Sequence, residues 1–343
     1  MHEEKRVLII NHFALGTALA RYTSELHTAV GDLAEIANVQ FSPTKQNFPP
    51  GKFFQGTKSQ VLNVFFRRFV YHKLHQSVSQ MISGSGIVHY TEQSMPFFSN
   101  GGEREVVTFH DLFAMNGGNR IEDILFKRYT KKSLKFRNAI AISKYTKQKL
   151  EEGKFDGEIS VIYHGIPKIF HLRNNKMELR KKYNLPLDKK VIISVSTDAK
   201  RKNLALLKQI AAVLPDHFKI LRIGPSLGFD LNFATVTDET LAELYSASDL
   251  FLLTSTEEGF NFPVVEAMAS GLPVVVSNID IMQEIVGRSG IYCDLKGVDS
   301  FLEGIKTSID QWEKFSKSSI ERAKFFSLEK FETEMRNYYS HLL

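Results

Sequence analysis

The stretch LFLLTSTEEGFNFPVVEAMAS, Leu250 to Ser270, reads as a strand, a turn and a helix. Residues 250–255 open with four apolar side chains in a row, the mark of a strand buried on both faces, as in a parallel sheet. Gly259 punctuates the turn. Pro263 suits a first helical position, where a missing N–H costs nothing, so the helix is predicted to start at Phe262 or Pro263. A helix that begins at the carboxyl end of a strand leaves N–H groups and the positive end of its dipole there, and a phosphate fits that place. Glu266, expected in the first helical turn, and Glu258, ahead of the helix, can accept hydrogen bonds from sugar hydroxyls on either side. Each acid also has a plainer reading, as a dipole-answering first-turn residue and as a solvated loop residue.

The strand-then-helix rhythm extends in both directions. Short apolar runs at 6–11, 86–90, 105–111, 139–143 and 159–163 are followed by a second series at 191–197, 218–224, 250–255, 273–278 and 290–293. Strands alternating with helical segments imply parallel sheets with helical crossovers, and two series imply two doubly wound α/β domains with a ligand cleft between them. The change of domain is expected near His164-Gly165-Ile166-Pro167, giving a first domain over 1–165 and a second over 166–325. Residues 326–343 are expected to form a terminal helix. Residues 42–57, with three prolines and two glycines, read as a long loop.

The chain has 343 residues, 43% of them hydrophobic, enough for two cores. No run approaches the roughly 20 apolar residues that span a bilayer, and Val7-Leu8-Ile9-Ile10 is too short for a secretory leader, so the cytosol is the expected compartment. Cys293 is the single cysteine, which excludes an intrachain disulfide and reads as a small core hydrophobe. The net charge is +6, and it sits in the first half: residues 1–165 carry 21 Lys and Arg against 15 acids, whereas 166–343 carry 23 of each.

The spacing of Glu258 and Glu266, with Gly259, Phe260, Pro263 and the following Ala267-Met268-Ala269-Ser270-Gly271-Leu272-Pro273-Val274-Val275, resembles the donor-site signature of glycosyltransferase family 4, retaining enzymes of the GT-B fold. The likeness covers most of the second half, through Ser194-Val195-Ser196-Thr197, Arg201-Lys202-Asn203 and Leu241–Asp249. In the first half Val106–Asp111, Ala141-Ile142-Ser143 and Val161–Ile166 match more loosely. The resemblance implies two Rossmann-like domains, with the terminal helix returning to the first. It implies that Arg201 and Lys202 hold the donor diphosphate and stabilise the charge that grows on it. Glu266 would bind the ribose; Glu258 and the backbone around Gly259, Phe260 and Asn261 would hold the transferred sugar; Val264 and Val265 would offer N–H groups to the distal phosphate. Val236 would contact the base, and His110 the sugar near its reacting carbon. By the same resemblance Gly16 would be the acceptor-side phosphate contact, although Leu15-Gly16-Thr17 lacks the paired glycines many members show. There is no Asp-x-Asp, so no metal and no other cofactor is expected.

Nine Lys and Arg and no acid lie between Asp123 and Glu151, with Arg128, Lys131, Lys132 and Lys135 at helical spacing. A second acid-free tract, 52–80, carries Lys52, Lys58, Arg67, Arg68 and Lys73 with Leu62, Phe65, Phe66 and Phe69. Two readings stand: a solvated basic face over core aromatics, or a first domain lying on the inner leaflet of an anionic membrane to reach a lipid-linked acceptor. No nucleic-acid motif accompanies the charge. The expected activity is transfer of a hexose (mannose, glucose or N-acetylhexosamine) from a nucleoside-diphosphate sugar to a hydroxyl acceptor. A nucleotide-sugar epimerase and a non-catalytic nucleotide-sugar-binding scaffold are the alternatives.

Overall fold

The computed structural model describes residues 7–13, 17–40, 47–55, 78, 80–95, 99, 102–113, 127–128, 130–225, 228–229 and 231–342. The chain divides into two compact units, Met1–Gly165 with Glu329–Leu343, and Ile166–Leu328.

In the first unit seven parallel strands run in the order β3-β2-β1-β4-β5-β6-β7. They are β1 Val7–Asn11, β2 Ala34–Gln40, β3 Lys52–Gln55, β4 Ile87–Tyr90, β5 Glu105–Phe109, β6 Asn138–Ala141 and β7 Glu158–Val161. In the second, β8 Lys190–Val195, β9 Phe218–Ile223, β10 Leu231–Phe233, β11 Leu250–Leu253, β12 Val274–Ser277 and β13 Gly290–Cys293 are ordered β10-β9-β8-β11-β12-β13. Every residue of β1, β5, β11 and β12 is buried, because helices cover both faces of such sheets. Leu8, Ile10, Val88, Val107 and Phe109 build one core; Ile192, Leu207, Leu250, Val275 and Phe301 build the other. Each such side chain contributes roughly 1.5–3 kcal/mol by leaving water. Cys293 lies in the second core, and burial pushes its thiol up to about 11, so it is inert packing.

All ten expected strands form. Three more carry no such run: β3 and β10, each at an edge of its sheet, and β2, which lies between β1 and β3. β3 corrects the reading of residues 42–57 as one loop: Lys52–Gln55 pairs with Ala37–Gln40 of β2. An edge strand meets one neighbour and needs no long apolar run, so its hydrophobic signal is weak. Residues 41–46 and 56–57 lie outside the described residues, as do Leu15, Gly16 and nearly all of the 52–80 basic tract. Of the tract between Asp123 and Glu151, Arg128, Lys131 and Lys132 are helical and exposed. Lys135 falls in the turn that ends that helix, where its N–H reaches the Lys132 carbonyl, so it does not extend the helical stripe. Among the described residues no helix is long and apolar enough to cross a membrane.

The sheet orders locate the places where ligands belong. In a doubly wound sheet the crossovers change direction at one point, and a crevice opens there at the carboxyl ends of the strands. That point lies between β1 and β4 in the first unit and between β8 and β11 in the second.

Candidate functional site

The second unit's switch point is bounded by the loop after β8, residues 196–202, and the loop after β11, residues 254–261. A 3-10 turn, Lys200–Lys202, closes the first loop, and Asn203 follows at φ 49 before helix Leu204–Val213. Asparagine tolerates this left-handed conformation and so lets the chain reverse there. The turn is clamped to the second loop. Thr256 N donates to the Arg201 carbonyl at 2.8 Å, and Thr254 Oγ1 to the Lys202 carbonyl at 3.1 Å.

The clamp brings Arg201 and Lys202 onto one carboxylate. Arg201 Nη1 lies 2.8 Å from Glu258 Oε2, and Lys202 Nζ lies 2.5 Å from Oε1. The Glu258 side chain is 4% exposed, against 11% for Lys202 and 32% for Arg201. Burial lowers the Lys202 amine below its usual range, and the Glu258 charge opposes that shift. One carboxylate between two cations leaves an excess of positive charge at a place with little water, where electrostatic interactions are strong.

Helix Phe262–Ala269 begins at the expected residue, with Pro263 in its first turn. Asn261 caps it from φ 79, its Oδ1 accepting from Val264 N at 3.1 Å. Two expectations are thereby corrected. The Val264 N–H, expected to be open to a phosphate, is held by its own cap. Glu266 lies in the second helical turn rather than the first, because the helix already starts at Phe262. Glu266 is 1% exposed and accepts from Tyr245 Oη at 3.2 Å. The cap also fixes which way the Asn261 amide faces, and its Nδ2 is a buried donor with no partner among the described residues. Such a group calls for an acceptor from outside the fold.

Gly259 and Phe260 are buried in the turn, the Phe260 ring packing edge-on against Phe262 and Phe326 at 5.5 Å each. The Phe260 side chain thus anchors the turn, leaving only its backbone for a ligand. Val265 is fully buried, and Val236 is half-buried just ahead of helix Asp238–Ala247. Asp249, inside the quoted run 241–249, is structural: Arg180 and Lys176 pair with it, and Val191 N donates to it at 2.7 Å, tying the start of β11 to β8. Tyr245, Thr254 and Thr256 support the site without any signal that sequence reading could isolate.

In the first unit the switch point carries different chemistry. His110, 7% exposed, donates from Nε2 to the Thr91 carbonyl at 2.7 Å, and its backbone N–H reaches Gln93 Oε1 at 3.2 Å. Its ring stacks on His164 at 5.2 Å, and Tyr22 meets both edge-on. Below it, His89 Nε2 contacts Thr108 Oγ1 at 2.7 Å, Thr108 Oγ1 contacts Tyr22 Oη at 2.7 Å, and His89 Nδ1 bonds the Tyr339 hydroxyl of the terminal helix Leu328–Leu342. Burial pushes His110 down to about 4 and His89, which also faces His110, down to about 3. Both rings are therefore neutral at pH 7. Burial raises the Glu92 carboxyl to about 7, against the pull of Ser94 N and Oγ, which both donate to it. Among the described residues no three His, Cys, Asp or Glu side chains gather as a metal site.

Comparison with known proteins bears on the same part of the chain. Residues 189–311 match the family model described as Glycosyl transferases group 1. Over 128 residues the chain is 34% identical to the O-antigen chain mannosyltransferase B of Escherichia coli, covering 36% of this chain and 34% of that protein. It is 26% identical over 198 residues to the N-acetyl-alpha-D-glucosaminyl L-malate synthase of Bacillus anthracis, covering 52% and 51%. The chain thus spans about half or less of the length of these curated relatives. Among solved structures, HepE of Anabaena in complex with UDP and glucose superposes with a TM-score of 0.79 at 16% identity, over 98% of this chain and 100% of that one. WaaG, a glycosyltransferase involved in lipopolysaccharide biosynthesis, superposes with 0.77 at 14%, over 96% and 98%. The fold is the one these glycosyltransferases share, GT-B, with two Rossmann-like domains.

Proposed function

We propose that this chain is a retaining glycosyltransferase that moves a hexose or N-acetylhexosamine from a nucleoside-diphosphate sugar to a hydroxyl acceptor. The observation that carries the reading is the pair of cations, Arg201 and Lys202, fixed on Glu258 beside the start of helix Phe262–Ala269. The matched family model over the same residues and the names of the relatives support it.

The donor's diphosphate lies against Arg201 and Lys202, which do the work that a metal ion does in other transferases. Glu266, held by Tyr245, accepts from the ribose hydroxyls. Glu258 spends part of its acceptor capacity on the two cations and keeps the rest for hydroxyls of the sugar, since each carboxylate oxygen has two lone pairs. The Asn261 Nδ2 donor finds its acceptor in the same ligand. As the bond from the anomeric carbon to the diphosphate breaks, the electron pair stays on the departing oxygen, where the fixed cations stabilise it. The acceptor oxygen bonds to the anomeric carbon on the face being vacated, and its proton passes to the departing phosphate oxygen, so configuration is retained. His110, with Nε2–H committed to Thr91, leaves a neutral Nδ1 as an acceptor for a sugar hydroxyl.

The acceptor is a glycan precursor, lipid-linked at an anionic membrane surface. The exposed Arg128, Lys131 and Lys132 and the O-antigen relative support that reading. Incubation with a panel of radiolabelled sugar nucleotides, in the presence of EDTA and a hydroxyl acceptor, tests the function. Release of nucleoside diphosphate and an acceptor labelled with the donor's anomeric configuration are expected. Inactivity across all donors, or an inverted product, contradicts the reading. Co-sedimentation with anionic vesicles tests the surface, and no binding at low salt removes it.

A further inference from the structure

The second unit buries an arginine that none of the above uses. Arg222, next to last in β9, has its side chain at the carboxyl edge of the sheet and is 0% exposed. Its guanidinium gathers backbone carbonyls: Nη1 donates to Ser194 at 3.2 Å and to Ile223, and Nη2 to Ser196 and to Thr197 at 3.4 Å. No carboxylate of a described residue lies within ion-pair distance. Burial lowers the group to about 10, opposed by the charge of exposed Asp198, so it remains cationic at neutral pH.

A buried guanidinium with only neutral partners is costly, and the fold is built to keep it. Gly224, at φ +134, has no room for a side chain: a Cβ would stand 2.1 Å from the Ser196 carbonyl and 2.6 Å from the guanidinium. Asn232 Nδ2 donates to the Arg222 and Gly224 carbonyls at 3.1 and 3.0 Å, fixing the same corner from β10.

Two consequences follow from geometry. The peptide bonds here are trans, so a carbonyl turned toward Arg222 obliges the N–H of the next residue to point the opposite way. With the Ser196 and Thr197 carbonyls turned inward, the N–H groups of Thr197 and Asp198 face away from the guanidinium, and neither donates to a described residue. Successive open N–H groups of this kind form an anion-binding concavity. The second consequence is electrostatic. Arg222 acts on Lys202 as a like charge, so its field reaches the diphosphate cations without touching them.

We infer that Arg222 is a positioning residue for the diphosphate. It turns the 196–198 peptides so that the Thr197 and Asp198 N–H groups bind phosphate oxygens, and it adds a third positive charge behind Arg201 and Lys202. The inference rests on the donor-site reading proposed above. It explains why a charge is tolerated in a core strand, since the bound diphosphate is its counter-ion.

The test is calorimetric titration of UDP, GDP, the matching nucleosides and inorganic pyrophosphate into the full chain and four variants, with circular dichroism to confirm folding. Arg222→Met should weaken nucleoside diphosphate and pyrophosphate binding by roughly tenfold or more, while leaving any nucleoside affinity within about twofold. Arg222→Lys should recover the charge but not the fork, and so fall between. Gly224→Ala, which displaces the Ser196 carbonyl from the other side, should reproduce the Arg222→Met pattern. Asp198→Asn, which removes the nearest opposing charge at an exposed position, should strengthen diphosphate binding by about two- to threefold. Should Arg222→Met prove unfolded, the opposite signs of Gly224→Ala and Asp198→Asn decide the matter. Equal diphosphate affinity across folded variants, or parallel losses for nucleoside and diphosphate, overturns the inference alone. A wild-type chain that binds neither nucleoside diphosphate nor pyrophosphate overturns the donor-site reading and the inference with it.

Discussion

The two sheets end in opposite chemistry. At the switch point of the second unit, charge is concentrated and kept: Glu258 fixes Arg201 and Lys202, and buried Arg222 acts on Lys202 as a further positive charge. At that of the first, charge is refused: His89, His110 and His164 are buried among Tyr22, Thr108 and Tyr339, and burial holds each ring below the ordinary histidine range. The same α/β architecture therefore gathers cations after the strands of one unit and neutral rings after those of the other. What differs is the residues that follow the strands, which is where function resides on such folds.

The comparison breaks most visibly at Lys202. Lys202→Ala is expected to lower turnover by about 10²–10³-fold, the scale of losing one preorganised stabiliser of developing charge. Steady-state rates of nucleoside diphosphate release check it, and a change below about threefold would show that the charge at this site is incidental.

Acid probes the other side. The folded values of His89 and His110 lie below the usual 6.5. Above that pH both folded and unfolded chains are neutral there, and the stabilisation is whole. As pH falls from 6.5 toward 4, the unfolded chain takes up protons that the fold refuses, and each ring costs about 1.4 kcal/mol per pH unit. Urea midpoints followed between pH 7.5 and 5 should therefore fall, with amide exchange rising first in the strands of the first unit. His89→Asn should flatten the slope. Earlier opening of the second unit's strands would contradict the contrast.

Smaller effects sharpen the description of the second site. Asn261→Ala loses a helix cap and places a Cβ-bearing residue without a polar side chain at φ 79, costing about 1–2 kcal/mol by thermal unfolding. Asn261→Gly should restore most of that stability but not the donor affinity that Nδ2 supplies. Tyr245→Phe removes one hydrogen bond to Glu266, and the donor KM should rise by about three- to fivefold with kcat nearly constant.

Most of this architecture is legible in the chain, for a physical reason. Central parallel strands are buried on both faces, so runs such as Leu250-Phe251-Leu252-Leu253 announce themselves, and Pro263 marks its helix start to within one residue. β3 and β10 are hidden because an edge strand meets one neighbour, β10 being only three residues, Leu231-Asn232-Phe233, and β2 because Glu35 and Asn38 interrupt its apolar run. The site is half-legible. The strand-turn-helix pattern brings Glu258 and Glu266 to notice and the family resemblance Arg201 and Lys202, but neither shows that Glu258 holds both cations or that Asn261 occupies the Val264 N–H. Those depend on loop conformation, Asn203 and Asn261 both lying at positive φ. Arg222 was invisible for the opposite reason, since a lone basic residue in Phe218–Ile223 looks like an interruption of a strand.

On the donor-site reading proposed above, a nucleoside diphosphate is received by the cations Glu258 holds. The dissociation constant of UDP and GDP as a function of salt, for the wild-type chain and Lys202→Ala, tests this most directly. At least one nucleotide should bind, more weakly as salt rises, and the variant should lose roughly tenfold in affinity with a shallower salt dependence. Nucleotide affinity indifferent to both salt and Lys202 would contradict the account.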